Sequence, residues 1–283
     1  MEQKLAIITG ANGGMGATLV RDVANAGFHV IMACKDLTKA TPVYEQLRQN
    51  KPDQIELMHM DLASFESIKS FVGQVQQHYS HLDLLLNNAG TLCHKAEETA
   101  EHYEKTVGVN YLGHYVLSHL LLPMMRKGTR VVNMVSLTVR YGHLKPTLFQ
   151  PVSQKDFNRF VTYSDSKKAF FYFTMDAAEK WADCGITVNC ADPGIVSTNI
   201  IRMGNIVVDK LCDWFFRPII KTPTQGASTM LKLALDPDLE GQTGGFYVNK
   251  KLKKVKSEVL NSPERTMLRE LTQEITRQHG FNF

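Results

Sequence analysis

Short apolar runs alternate with stretches of helical period along most of the chain. The runs predict strands near Leu5–Thr9, His29–Ala33, Ile55–Met60, Leu82–Asn87, Arg130–Val135, Ile186–Ala191 and Phe246–Val248. Several are apolar throughout rather than alternating, the pattern of strands covered on both faces. Between the early strands, Met15–Ala26 and Ser64–Tyr79 carry the helical pattern. A β-α-β-α order predicts an α/β fold, a single doubly wound parallel sheet of about seven strands with right-handed crossovers and helices on both faces. Two later helix starts are legible. Thr222-Pro223-Thr224-Gln225 places an N-cap threonine before an N1 proline with glutamine at N3, and Ser262-Pro263-Glu264 repeats the cap and proline.

Composition narrows this little. Of the 283 residues, 43% are apolar and 21% charged, which excludes a disordered chain. A net charge of +4 gives no reason to expect a nucleic-acid partner. The five cysteines, at 34, 93, 184, 190 and 212, form no C-x-x-C pair. Reduced thiols in a cytoplasmic protein are therefore expected, and no metal site. Met1-Glu2-Gln3-Lys4 leads straight into the first strand, so no secretory leader is expected. The longest apolar stretch, Tyr115 to Met125, is interrupted by Ser118, His119 and Pro123 and is too short for a transmembrane segment. Without repeats or low-complexity linkers, residues 1–283 read as one domain ending in a helical tail, 252–283. The basic run Lys250–Lys256 reads as solvated.

The first strand runs into Thr9-Gly10-Ala11-Asn12-Gly13-Gly14-Met15-Gly16. A strand, a glycine-rich turn and a helix N-terminus make an anion site, where the backbone approaches a pyrophosphate and the helix N–H groups face its charge. The second strand ends Ala33-Cys34-Lys35-Asp36. NAD-preferring folds place a carboxylate on the ribose hydroxyls there. With Cys34 at that position and Lys35 next, a 2′-phosphate would be attracted, which points to NADP(H). A shift of one residue would put Asp36 on the ribose and point to NAD(H). Asp61-Leu62, after the third strand, offers a carboxylate and an apolar side chain to an adenine edge. Asn87-Asn88-Ala89-Gly90, after the fourth, is small enough for a cofactor to pass over.

Tyr163 and Lys167 share a helix face at i,i+4. A nearby ammonium stabilises a phenolate, as does a positively charged oxidised nicotinamide, making tyrosine a usable acid or base near neutral pH. Tyr247 and Lys251 have the same spacing, but in a strand-like segment where such residues do not stack. Ser136, at the end of the fifth strand, offers a hydroxyl to a substrate oxygen, with Thr138 as the fallback. Asn110 falls inside a helical pattern, where its amide can hold a backbone bond open and anchor a water.

Together these motifs resemble the short-chain dehydrogenase/reductases, and within them the retinol dehydrogenase-like branch. The resemblance runs from about Lys4 to Val248 and adds Pro193-Gly194, in family order. It implies a Rossmann-type nucleotide fold, a nicotinamide cofactor, and a catalytic tetrad of Asn110, Ser136, Tyr163 and Lys167. Lys167 would also bind the nicotinamide ribose, and Asn110 would support a water linking Lys167 to solvent. Pro193-Gly194, with Val196 and Thr198, would flank the nicotinamide amide. Four departures stand out: Val135 where many relatives have serine, Asp192 where the branch often has histidine, Lys35 for arginine, and Asn12 for a basic residue. No counterpart of the membrane anchor of many animal retinol dehydrogenases is expected. Family members assemble through the helices carrying Asn110 and Tyr163, so a homodimer or homotetramer is one expectation.

Two segments, 137–162 and 195–221, are expected to shape the substrate pocket. The second contains Ile200, Ile201, Met203, Trp214, Phe215 and Phe216, which suits a lipophilic carbonyl or alcohol, although such side chains also pack on cores and partners. Two other readings stand beside an NADP(H)-linked oxidoreductase: an NAD-linked alcohol dehydrogenase, and a non-catalytic sensor of NADP(H). A hydrolase is disfavoured because no G-x-S-x-G elbow occurs.

Overall fold

The strands recur in a computed structural model that describes residues 3–49, 51–196 and 221–283. In chain order they are β1 (Leu5–Thr9), α1 (Gly14–Asn25), β2 (His29–Cys34), α2 (Leu37–Arg48), β3 (Ile55–His59), α3 (Phe65–His78) and β4 (Leu82–Asn87). Helix α4 follows as one continuous rod: an α-turn Lys105–Val107, a π-helical stretch Gly108–Leu112 and an α-helix Gly113–Leu121. Then come β5 (Met125–Met134), α5 (Arg159–Lys180), β6 (Thr187–Asp192), α6 (Pro223–Leu235), β7 (Phe246–Val248), β8 (Lys251–Leu252) and α7 (Pro263–Gln278).

The strands form one sheet in the order β3-β2-β1-β4-β5-β6-β7-β8. The first seven run parallel; β8 returns antiparallel through the two-residue turn Asn249-Lys250, both at positive φ. This hairpin separates Tyr247 from Lys251, so their spacing carries no helical pair. β5 starts five residues earlier than its apolar run predicts. Its polar beginning, Arg126-Lys127-Gly128, is extended but bulged, with the register shifting between Leu82 and Leu84 of β4.

Unbroken apolar strands are explained by two separate cores. Along β1, Leu5 and Ile7 enter the layer beneath α3, α4 and α5, whereas Ala6 and Ile8 enter the layer beneath α1 and α6. Helix α7 lies over α4 and α5. Leu268 is buried, Tyr111 and Thr272 share a 2.7 Å hydrogen bond, and Arg265 and Arg269 both pair with Asp176 of α5. No helix among the described residues is long and apolar enough to cross a membrane.

Strand order reverses between β1 and β4, since β2 and β3 lie on one side of β1 and β5 onward lies beyond β4. Ligands of open α/β sheets bind at that switch, outside the carboxyl ends of the strands. Helix α6 packs beside α1 there, and its start is the capping box anticipated from sequence. The Thr222 hydroxyl accepts from Gln225 N–H and the Gln225 side chain accepts from Thr222 N–H. Thr222→Ala removes the first of these bonds. Urea denaturation should show a loss of about 1 kcal/mol, with Thr222→Ser close to wild type.

Candidate functional site

At the switch point Gly10 has φ +61, and a Cβ there would lie 2.9 Å from the Cα of Ala89. Any other residue would push β1 and β4 apart. Gly16 is held as tightly, facing the carbonyl of Gly10. Asn88 ties the two strand ends together, its amide donating to the carbonyls of Thr9 (2.9 Å) and Gly10 (3.3 Å), while Ala89 N–H donates to the Thr9 hydroxyl. Helix α1 begins at Gly13 with no side-chain cap and no acidic residue in its first turn. Asn12, Gly13, Gly14 and Met15 all retain some exposure there. Asn88 Oδ1 is buried without a hydrogen-bond partner. Free helix N–H groups, a close backbone and an unmet acceptor fit a dinucleotide pyrophosphate.

Beside this turn Cys34 points inward and accepts from the N–H groups of Asn12 and Ala11, though burial pushes its thiol pKa up. Lys35 is exposed and reaches across to Asp61 at 2.9 Å. Asp36 is the N-cap of α2. Its carboxylate accepts from Lys39 N–H and pairs with the Lys39 ammonium, and these hold its pKa below the usual carboxylate value. That engagement argues against Asp36 as the ribose acceptor. Asp61 also caps the following turn through Ala63 N–H. Leu62 departs from expectation: it is 6% exposed and packed in the core, so its side chain offers little apolar surface to an adenine.

The π-helical stretch of α4 explains the mid-helix asparagine. Widening the helix at Gly108–Leu112 turns Asn110 inward, fully buried. Its Oδ1 accepts from Thr91 N–H at 2.7 Å, and Nδ2 donates to Thr91 O and to Ser166 Oγ of α5. Ser166 in turn donates to Tyr163 O. Both amide hydrogens are thus used within the protein, while Oδ1 keeps a second lone pair. One turn on, the buried His114 stacks on Phe170 and lies 3.1 Å from Thr9 Oγ1 and 3.4 Å from Asn110 O. Because Asn110 O can only accept, its contact places the proton on His114 Nδ1 and leaves Nε2 to accept from the Thr9 hydroxyl.

Ser136 lies two residues past β5 and caps the 3₁₀ turn Leu137–Arg140, accepting from Thr138 N–H. Its hydroxyl faces the phenol of Tyr163, which projects from the start of α5. Lys167, 2% exposed, donates to Met134 O at 2.8 Å, with Nζ 5.7 Å from the centre of the Tyr163 ring. Gly90 lies against both Asn110 and Lys167. Burial, then the charge of Asp192, pushes Tyr163 up to about 12, with the Ser136 hydroxyl opposing. Burial lowers Lys167 to about 8, against the pull of Asp192.

Pro193 and Gly194 follow β6 at the same end of the sheet, and Gly194 has φ +75. Val196 is buried where Met15 of α1 and Gly226 of α6 meet, and it bridges to Lys221. Thr198 and the apolar residues at 200–216 lie outside the described residues. Asn110, Ser136, Tyr163 and Lys167 thus converge on the end of the sheet that carries the glycine turn.

The short chain dehydrogenase family model matches residues 4–205. The chain belongs to the short-chain dehydrogenase/reductase family. Mouse retinol dehydrogenase 14 is 35% identical over 266 residues, covering 87% of this chain and 78% of that protein. Human polyprenol dehydrogenase is 32% identical over 260 residues, covering 88% and 77%. An uncharacterised protein from Mycobacterium paratuberculosis superimposes with a TM-score of 0.75 at 25% identity, covering 97% of this chain and 94% of its own. These relatives place the chain in the retinol dehydrogenase-like branch of the short-chain dehydrogenase/reductases, a family of oxidoreductases.

Within this short-chain dehydrogenase/reductase, sequence reasoning passed over His114 and Ser166. Their partners are distant in sequence, and a histidine or serine in an apolar helix carries no signal by itself. His114 also sets a pH dependence. Burial, then Lys167, lowers it from 6.5 to about 3. Between those values the unfolded chain binds a proton that the folded chain does not, so stability is lost as pH falls through this window. Relative to His114→Gln, wild type should lose about 2 kcal/mol more between about pH 7 and about pH 5, measured by urea unfolding.

Proposed function

We propose that this oxidoreductase uses NADP(H) to interconvert a lipophilic carbonyl compound and its alcohol, with Tyr163 as general acid in reduction and general base in oxidation. The observation carrying this reading is the buried Tyr163 phenol facing Ser136, with Lys167 buried one turn away at the switch point. When bound, a nicotinamide dinucleotide supplies or accepts the hydride. Ser136 and Tyr163 present two hydroxyls to one substrate oxygen. The phenol, held protonated across neutral pH by burial, is in the form that donates a proton to a carbonyl oxygen being reduced. Of the three donors on Lys167 one goes to Met134 O, leaving two for ribose hydroxyls. A proton route through Asn110 would use a water on its side-chain oxygen, which keeps a lone pair beyond the bond from Thr91 N–H.

Lys35 favours NADP(H). Its pairing with Asp61 is exposed, and such pairs contribute about 0–1 kcal/mol, so a 2′-phosphate can displace it. Lipophilicity is supported by the surface: of nine exposed large hydrophobics among the described residues, Leu137, Tyr141, Phe160, Val161 and Ile195 lie in the two pocket-forming segments. Retinol and polyprenol, named by two relatives, are both isoprenoid alcohols.

NADPH should bind more tightly than NADH by nicotinamide fluorescence, and Lys35→Ala should narrow the gap by about tenfold. Tyr163→Phe should bind NADPH normally yet lower kcat for all-trans-retinal by at least about a hundredfold. Unchanged turnover in that variant would exclude Tyr163 as the acid, and NADPH binding without turnover in wild type would favour a sensor. We further infer that helices α4 and α5 do not mediate assembly, because α7 covers the surface they would use. Light scattering should give a monomer, whereas a dimer would require another face.

A further inference from the structure

The last residue of β6, Asp192, is a carboxylate only 2% exposed. Two backbone donors meet it: Oδ1 accepts from Leu137 N–H at 2.8 Å, and Oδ2 from Gly194 N–H at 2.9 Å. The ladder between β5 and β6 ends at Met134 and Ala191, with Val135 N–H donating to Ala191 O just beyond. The carboxylate carries the pairing one step further, where the chain leaves β5 for the Ser136 turn. Leu137 is the first residue of the 3₁₀ turn that Ser136 caps. On the other side the Gly194 loop is braced by Lys221, whose ammonium donates to Pro193 O and Asn249 Oδ1.

The two N–H donors meet different oxygens of the one carboxylate. Asparagine offers one oxygen and turns an N–H₂ towards the second donor. The charged and titratable groups facing Asp192 are Tyr163 and Lys167 of α5, Cys190 on its own strand and Lys221 across the loop. His114, from α4, faces Lys167. Burial pushes the Asp192 carboxyl up, and Lys221 and Lys167 pull it back. Its negative charge favours the Lys167 ammonium and disfavours a Tyr163 phenolate.

We propose that Asp192 is a positioning residue that holds the Ser136 turn and the Pro193–Gly194 loop in one frame and sets the charge balance between Lys167 and Tyr163. The reaction-related part rests on the hydride-transfer reading above; the charge balance belongs to the protein itself.

The test compares Asp192→Asn and Asp192→Glu in the full chain. Three quantities are read: the ultraviolet phenolate titration without cofactor, corrected by a Tyr163→Phe background; NADPH affinity by fluorescence; and kcat and KM for all-trans-retinal. In Asp192→Asn the Tyr163 step should move to lower pH. Its kcat should fall by about tenfold or more while NADPH affinity and KM stay within about threefold. Asp192→Glu keeps the charge, so its phenolate step should stay at the wild-type pH, while the longer stem misplaces both acceptors and lowers kcat. A wild-type titration and wild-type kcat in Asp192→Asn would overturn the proposal. So would a parallel loss of kcat and NADPH affinity with the phenolate step unmoved, which marks loop damage alone. If wild type binds NADPH but leaves retinal unreacted, the function reading fails while the phenolate titration still decides the charge role of Asp192.

Discussion

A buried amide destabilises a fold unless each donor and its acceptor are met, and Asn110 meets all of them across three separate pieces of chain. It fixes the Thr91 backbone just past the glycine at the end of the β4 loop, and it reaches Ser166 on α5, which turns back to Tyr163 O. The π-helical widening is the local cost of aiming the amide inward, and the interhelical bonds offset it. Beneath it a second buried chain of amides and hydroxyls crosses the sheet. Asn87 donates to Asn133 and Ser118, and Asn133 donates to Thr174. Sliding β4 against β5, or α4 against α5, would break these bonds and leave donors unmet in an apolar interior. The candidate site is therefore as rigid as the core beneath it.

Charge at the site follows from that rigidity. The spacing of Tyr163 and Lys167 suggests an ammonium beside a phenolate, but in the structure the ammonium is anchored on Met134 O, and burial dominates both groups. Desolvation disfavours the charged form of each, so the phenol rises and the lysine falls. Asp192 opposes the second effect and adds to the first. The result is a neutral phenol beside a lysine whose protonation changes just above neutrality. Such a site is poised to give up a proton. Drawing one in requires further positive charge near the phenolate, as an oxidised nicotinamide would bring.

Much of this was legible in the sequence, because the strands and the motifs are local. An apolar run of five or six residues predicts a strand covered on both sides, and a glycine-rich turn after the first predicts the anion end. Local signals failed where the structure spends polar residues on extended chain. The start of β5 was hidden by Arg126-Lys127-Gly128, and β8, two residues long, has no pattern to find. The phenol environment was unreadable for a different reason. Asp192 and Tyr163 are 29 positions apart in number, and only the pairing of β6 beside β5 brings the carboxylate under the Ser136 turn. His114 is likewise an ordinary helical histidine until β1 supplies Thr9 as its partner.

The outer surface of the chemical helices bears on the same geometry. Tyr111 follows Asn110 in α4 and points the opposite way, to Thr272 of α7. Asp176 of α5 receives Arg265 and Arg269 from that helix, and the chain end then closes over Phe65 through edge-on contacts of His279 and Phe281. Pinned from outside as well as from within, α4 has little freedom to rotate about its π-helical stretch, a place where a helix would otherwise yield. Catalytic groups need to be held within about 0.5 Å of a productive geometry, and side chains achieve that only when the elements carrying them are themselves locked. The C-terminal helix thus contributes to the site without touching it, by fixing the face of α4 opposite to Asn110.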